Sequence, residues 1–415
     1  MEKDKSFQLT ITARSPVHIS SGSTLGRNID FVYIPTERTS FVVNVDAAAY
    51  LADPDRPDWQ SLDQLLKAHE INLSRSNAHT HIIEGIPLVR YMLKGKPGNQ
   101  KQQMLEQTRD VFDKPYIPGS SLKGAIRTAL AWDAFPTSGL EVSLDALEVN
   151  REPPKKEFAD ENYERRLFVA ASGETNTDTT TDAHRDVMRG LRISDTTPVA
   201  KELCIYQVGS STEQHTQKAA YGRPQDRGQQ QQRGPIPLPD VEGIPRDSTC
   251  TAVLQLDRYL FTRRLERIDF SDRAAWIERF AQACHTRSKK LIQQEIAYFD
   301  KRNQILKEFY LGLDKEAQQI DKEAQQIDTE AQQLDPKSFL LQLGWGAGWH
   351  SKTLDARLTD NGAGFREIAN HYELKRGKTL KDGDIFPISR KLVKNDAGDL
   401  AAPLGWVRVD VKEQP

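Results

Sequence analysis

Apolar and polar residues alternate along Phe7-Gln8-Leu9-Thr10-Ile11-Thr12-Ala13, and the alternation stops at Ser15-Pro16. Every second residue of an extended chain shares one face, so this stretch predicts a half-buried strand. Residues 30–34 and 41–45 predict two more. Between the first two strands, the small residues of 17–23, with His18, Ser20, Ser21 and Gly22, predict a loop whose backbone N–H groups can face an anion. After Asp46 the alternation gives way to helix-spaced Leu51, Leu62, Leu65 and Leu66, a helical insertion interrupted at Pro54 and Pro57.

Further strands are predicted at 190–195, 203–208 and 251–256. Residues 172–182, rich in Thr, Ser and Asp, read as a flexible loop. Residues 209–239 have almost no apolar periodicity and contain four consecutive glutamines and three prolines near their end, the composition of a disordered segment. A long helical region is expected at about 272–313, where Trp276, Phe280, Cys284, Leu291, Ile292 and Tyr298 are mostly three, four or seven apart. It leads into a heptad repeat: Asp314-Lys315-Glu316-Ala317-Gln318-Gln319-Ile320 recurs unchanged at 321–327 and in modified form at 328–334. Ala317, Ile320, Ala324, Ile327, Ala331 and Leu334 form one narrow seam with alanine at half its positions, which reads as a packed helical extension rather than an independent dimeriser. Strands mixed with helices make the chain α+β, divided near residue 244 into an N-terminal part (1–243) and a C-terminal part (244–415).

Charge then limits the partners. Over 415 residues the formal net charge is −2, so a polyanion must be held by local patches, and a histone-like basic protein is excluded. Between residues 258 and 302 eleven Lys/Arg stand against six Asp/Glu, one such patch, whereas the heptads are net acidic and unsuited to nucleic acid. No apolar run approaches the roughly 20 residues that cross a bilayer, and the first residues lack a signal-peptide core, so a cytoplasmic protein without a membrane partner is expected. Cys204, Cys250 and Cys284 are isolated, which leaves neither a disulfide framework nor a cysteine zinc site.

Two stretches carry candidate chemistry. In Pro115-Tyr116-Ile117-Pro118-Gly119-Ser120-Ser121-Leu122-Lys123-Gly124-Ala125-Ile126-Arg127, prolines and glycine delay a helix until a serine can cap it. A capped N-terminus with Lys123 and Arg127 on one edge makes a phosphate seat, because dipole and cations act in the same direction; an ordinary capped helix with solvated cations has the same residues. In Leu343-Gly344-Trp345-Gly346-Ala347-Gly348-Trp349-His350-Ser351-Lys352-Thr353, glycines allow a backbone to approach phosphate closely, and Trp345 and Trp349 offer faces for bases. The plainer alternative is a loop with tryptophans in the core.

Nucleotide and metal templates fail. Gly377-Lys378-Thr379 lacks the first glycine of a phosphate loop, since Tyr372 stands there, and His79 and His81 lack a third ligand of clear spacing. No cofactor and no metal are expected. His18 and His350 remain as general-base candidates against an RNA 2′-hydroxyl.

Residues 115–127 resemble the signature of the RAMP superfamily, the repeat-associated RNA-binding proteins of CRISPR systems, and residues 343–353 resemble its C-terminal glycine-rich loop. With Ser15-Pro16-Val17-His18-Ile19 and the stretch 190–195, the pattern is similar to that of the fifth subunits of type III-A Csm complexes. The resemblance implies tandem ferredoxin-like, RRM-type modules with helical insertions, and a non-catalytic RNA-binding role at the CRISPR RNA 3′ end, assisting maturation in antiviral defence. It implies CRISPR RNA, the other Csm subunits and a separate 3′-end nuclease as partners. The backbone-binding loop carries over onto Gly344, Gly346, Gly348 and Lys352, and the phosphate-side helix onto Ser120, Ser121, Lys123 and Arg127. His18, Ser20, Ser21, Gly119, Trp345, Trp349 and His350 complete the candidate RNA contacts. One departure falls at Ser20-Ser21-Gly22, where relatives have glycine sooner. Two readings compete: a metal-independent endoribonuclease using His18 or His350 with Lys123 or Lys352, and a scaffold that binds protein alone.

Overall fold

The computed structural model describes residues 4–52, 61–98, 103–147, 161–169, 185–211, 238–257, 260, 274–327, 337–375 and 378–414. In chain order, the first elements are β1 (Lys5–Ala13), β2 (Ser20–Gly26), β3 (Phe31–Ile34), β4 (Thr39–Val43), α1 (Val45–Leu51) and α2 (Leu62–Ala68). Next come β5 (Ile82–Ile83), β6 (Ile86–Pro87), β7 (Val89–Lys94), β8 (Gln103–Gln107), α3 (Gly119–Ala134), α4 (Leu144–Leu147) and α5 (Glu161–Phe168). Then follow β9 (Leu191–Ile193), β10 (Cys204–Tyr206), β11 (Val208–Ser210), β12 (Asp240–Gly243) and β13 (Thr249–Leu256). The rest is α6 (Ala274–Glu278), α7 (Phe280–Phe299), α8 (Gln304–Ile327), β14 (Ser338–Gln342), α9 (Gly348–Lys352), α10 (Ala356–Thr359), α11 (Gly362–His371), β15 (Lys391–Lys394), β16 (Leu400–Pro403) and β17 (Trp406–Gln414).

Alternation in the first strand becomes burial: Leu9, Ile11 and Ala13 face the core. β1 runs antiparallel to β13 on one side and β17 on the other, with Ile11 opposite Cys250 and Val409. This sheet has the order β14-β17-β1-β13-β9. The division at 243/244 falls between β12 and β13, and the sheet takes strands from both sides of it. Its helices α3 and α7 pack on each other and on β9 and β14 respectively. Leu122, Ile126, Ala129 and Leu130 are the buried stripe of α3.

A second sheet, β2-β8-β12-β10-β7-β4-β3, carries α1 and α2 over Val32, Phe41 and Val89 at one end. Asn44 and Ser61 cap those two helices by accepting backbone N–H bonds. β11, β15 and β16 form a third sheet, and β5 pairs with β6.

Four expectations change. The loop expected at 17–23 becomes strand at Ser20, where β2 forms the outer edge of the second sheet. The long helical region expected over about 272–313 is more than one helix: Asn303 Oδ1 accepts the Leu306 N–H and Lys301 takes φ 61°, so the chain reverses between α7 and α8. The stretch 203–208 divides between β10 and β11, which lie in different sheets, and the start of 209–239 belongs to β11 while β12 begins just beyond its end at Asp240; residues 212–237, 172–182 and the third heptad lie outside the described residues. The first two heptads continue a seam that begins at Leu306 and runs through Tyr310, Leu313, Ala317, Ile320 and Ala324, all buried. Their acids are spent inside the molecule: Glu316 pairs with Arg14 at 2.7 Å, and Asp321 accepts from His285 at 2.8 Å and Lys289 at 2.6 Å.

Candidate nucleic-acid interface

The segments singled out in the sequence meet at one buried corner. Trp345 N–H donates to His18 O at 2.8 Å, and Gly405 N–H donates to Pro16 O at 2.8 Å. Ile19 N–H donates to the Gln107 side-chain oxygen at 2.9 Å, while Gln107 Nε2 donates to Tyr116 O at 3.3 Å. The turn at 16–19 therefore ties the glycine-rich loop to the Pro115–Gly119 approach of α3. Beneath it lies Glu242, fully buried, accepting from Gln107 N–H at 3.1 Å, Arg109 Nη2 at 3.1 Å and Tyr91 OH at 2.9 Å. Burial pushes the Glu242 carboxyl up, and Arg109 opposes that shift. The Arg109 guanidinium also stacks 3.4 Å from the Tyr91 ring centre.

Glycine at 344 and 346 is required by the protein's own packing. Both have positive φ, 82° and 88°; a Cβ at 344 would lie 2.4 Å from His18 O, and one at 346 would lie 2.5 Å from Leu404. Gly348 also has positive φ, 86°, but no atom stands within 4 Å of its missing Cβ, so this is where the loop backbone is open to a close approach.

The other candidates are distributed as follows. His18 is buried, its Nδ1–H donating to Glu242 O at 2.6 Å, and burial lowers its pKa to about 4. Its imidazole is not open to an RNA hydroxyl; it packs edge-on against Trp345. Trp345 is half-buried with Lys391 Nζ 3.9 Å above its ring centre. Trp349 is half-buried and packs on the core through an aromatic cluster with Phe365 and Phe386. His350 is held on both nitrogens, Nδ1 donating to Asp355 and Nε2 accepting from Arg390 Nη2 at 3.1 Å. Arg390 in turn pairs with Glu295 at 2.9 Å. Lys352 is exposed.

At α3 the expected serine cap is absent: Pro118 holds the cap position and the Gly119 N–H donates to Asp195 Oδ1 at 2.8 Å. A carboxylate of the same chain thus occupies part of the expected phosphate seat. Gly119 is fixed by β9, since a Cβ there would lie 2.3 Å from Ile193 O. Ser120 is exposed and Ser121 half-buried. Arg127 bonds Asp186 at 2.7 Å and lies 3.7 Å above the Phe168 ring, a fixed structural cation. Lys123 has its pKa lowered by burial, with Asp186 opposing. Ser20 and Ser21 are exposed on β2, their hydroxyls accepting the Gly22 and Ser23 N–H groups at 3.1 Å each.

Sequence reading missed Glu242, Arg109, Gln107, Tyr91 and Lys391. Glu242 stands in a wholly buried strand, and a lone acid in such a short stretch gives no periodic signal. Among the described residues no group of three His, Cys, Asp or Glu side chains is placed to hold a metal ion, and no helix is long and apolar enough to cross a membrane.

Comparison with known proteins agrees with this architecture. No curated protein matches the chain. A solved structure described as a Csm–crRNA–target RNA ternary complex of a type III-A CRISPR-Cas system contains a similar chain: 21% identity, TM-score 0.57, with 98% of this chain and 100% of that one covered. The crystal structure of T. onnurineus Csm5 is similar at 20% identity and TM-score 0.53, covering 96% of this chain and 99% of that one. Residues 10–350, which hold the 16–19 turn, the α3 approach and most of the glycine-rich loop, match the RAMP superfamily, and the chain belongs to that superfamily.

Proposed function

We propose that this chain is a non-catalytic RNA-binding subunit of a type III-A CRISPR (Csm) complex, seated at the CRISPR RNA 3′ end, where it assists 3′-end maturation by a separate nuclease. The observation that carries the reading is the end-to-end fold likeness to a Csm5 chain, 96% of one on 99% of the other. The convergence of the 16–19 turn, the α3 approach and the glycine-rich loop supports it, because hydrogen bonds through Trp345, Ile19, Gln107 and Tyr116 tie these segments together while Lys352 of the loop stays exposed. In this reading the five-stranded sheet with α3 and α7 is a ferredoxin-like frame for the RNA. Both histidines of the nuclease alternative are engaged by their own protein, His18 by Glu242 O and His350 by Asp355 and Arg390, which favours holding over cutting.

The test is salt-dependent binding of a CRISPR RNA 3′ segment to the pure chain, with RNA length followed in the same tubes. Lys123→Ala with Lys352→Ala weakens binding and makes the slope of log K against log salt shallower by about 1.4, the value for two lost phosphate contacts on a single strand. Unchanged affinity and slope overturn the RNA surface, and shortened RNA establishes the nuclease. Arg127→Ala is the control: with its guanidinium committed to Asp186, it lowers stability and leaves the slope unchanged.

A further inference from the structure

Between β8 and α3 the chain makes a tight hairpin over residues 109–115, closed by an antiparallel bridge between Arg109 and Pro115. At its tip stand Val111, 92% exposed, and Phe112, 77% exposed, the two highest values among the exposed large apolar side chains described. Single exposed apolar residues are ordinary, but two adjacent ones at the end of a rigid projection are not.

The rigidity is explicit. Asp110 Oδ1 accepts from both Phe112 N–H and Lys114 N–H at 2.9 Å, and Asp110 N–H donates to Lys114 O at 2.9 Å. Asp113 takes φ 59° and is clamped from two sides, its carboxylate by Arg90 at 2.5 Å and its carbonyl by Arg109 Nη1 at 2.7 Å. Arg109 is the residue that also binds Glu242, so the tip is anchored to the buried corner that holds the glycine-rich loop. Such a tip loses little conformational entropy when it docks, the property that turns an aromatic side chain into a binding anchor.

Charge selects the occupant. Glu106, Asp110 and Asp113 stand around the tip with Arg90, Arg109 and Lys114, and the two arginines are turned inward onto carboxylates or the backbone. The tip offers no cationic surplus to a polyanion. An apolar socket on a protein surface suits it better than a phosphate backbone.

We propose that Val111 and Phe112 form a docking knob for a neighbouring protein subunit, with Phe112 filling an apolar pocket of that subunit. The inference rests on the Csm-subunit reading above and adds to it a protein-binding surface built on residues other than Lys123 and Lys352.

The experiment co-expresses the chain with the remaining Csm subunits and CRISPR RNA, captures the assembly through a tag on another subunit, and measures how much of this chain is retained. Binding of the pure chain to the RNA 3′ segment is measured in parallel. Val111→Ser with Phe112→Ser alters only exposed side chains, so melting temperature stays at the wild-type value. Retention falls about thirtyfold, the range of an interface hot spot, while RNA affinity is unchanged; Phe112→Leu restores part of the retention. Undiminished retention overturns the knob, and so does lost RNA affinity, which would place the tip on RNA instead. A wild-type chain that is itself not retained overturns the subunit reading and the knob with it, whereas loss in the variant alone concerns only the knob.

Discussion

His18 joins the 16–19 turn to β12 through a neutral imidazole: Nδ1 donates to Glu242 O, and Nε2 has no partner among the described residues. Its pKa falls from the ordinary 6.5 to about 4 because burial penalises the imidazolium. The folded state therefore resists a proton that the unfolded chain accepts, and the His18 contribution to stability is complete above pH 6.5 and lost as pH falls toward 4. The full loss is roughly 3 kcal/mol, at about 1.4 kcal/mol per pH unit. Urea midpoints measured from pH 7 to pH 4 should fall less steeply in His18→Asn, whose amide can donate to the same carbonyl without titrating. Gly344 gives a second test at this scale. Gly344→Ala places a Cβ 2.4 Å from a backbone oxygen at φ 82°, so it costs more than 2 kcal/mol, whereas Gly348→Ala bears only the strain of its φ, about 1 kcal/mol. Equal melting temperatures for the two variants would contradict the packing described here. The sequence made both glycines visible; it gave no sign that Gly344 faces His18 across more than 300 residues.

At the scale of elements, legibility followed periodicity. β1 and α3 are readable because their apolar spacing alone decides which face is buried, and the α8 seam is readable through Ala317 and Ile320. What the spacing lacks is any record of contacts between distant segments. Asp195 takes the α3 terminus, Lys391 covers Trp345 and Asp321 bridges His285 and Lys289, and each partner lies far away in the chain. The heptad acids show the consequence: a charge pattern that reads only as unsuited to nucleic acid becomes a set of internal ion pairs once α8 lies antiparallel on α7. The buried seam, more than these partly exposed pairs, holds α8 in place. Ile320→Ala, at a position 1% exposed, should cost about 2–5 kcal/mol by denaturant titration, and Gln319→Ala on the outer face less than about 0.5 kcal/mol. A small effect at Ile320 would mean that the repeat does not pack on its neighbour.

For the whole molecule, the arrangement of the five-stranded sheet matters more than any single motif. The first strand, β1, is interior, and its two neighbours come from the later part of the chain: β13 and, beyond about 150 further residues, β17. Long-range pairing of this kind is slow to form and leaves every candidate site residue dependent on strands far from it in sequence. The Pro16–Ile19 turn directly follows β1, the glycine-rich loop directly follows β14, and β17 holds these two strands on its two sides. Removing β17 would therefore separate the two segments that meet at His18 O, besides exposing the buried Trp406, Val407 and Val409 positions of the core. A chain ending at Gly405 should lose cooperative unfolding and RNA binding together, whereas one ending at Val411, which lacks only the exposed tail of the strand, should keep both with a loss of about 1 kcal/mol or less. Circular dichroism melts and the RNA titration on the same two truncations decide it. A folded, RNA-binding chain without β17 would show that the glycine-rich loop and the 16–19 turn are held together by their own contacts rather than by the sheet.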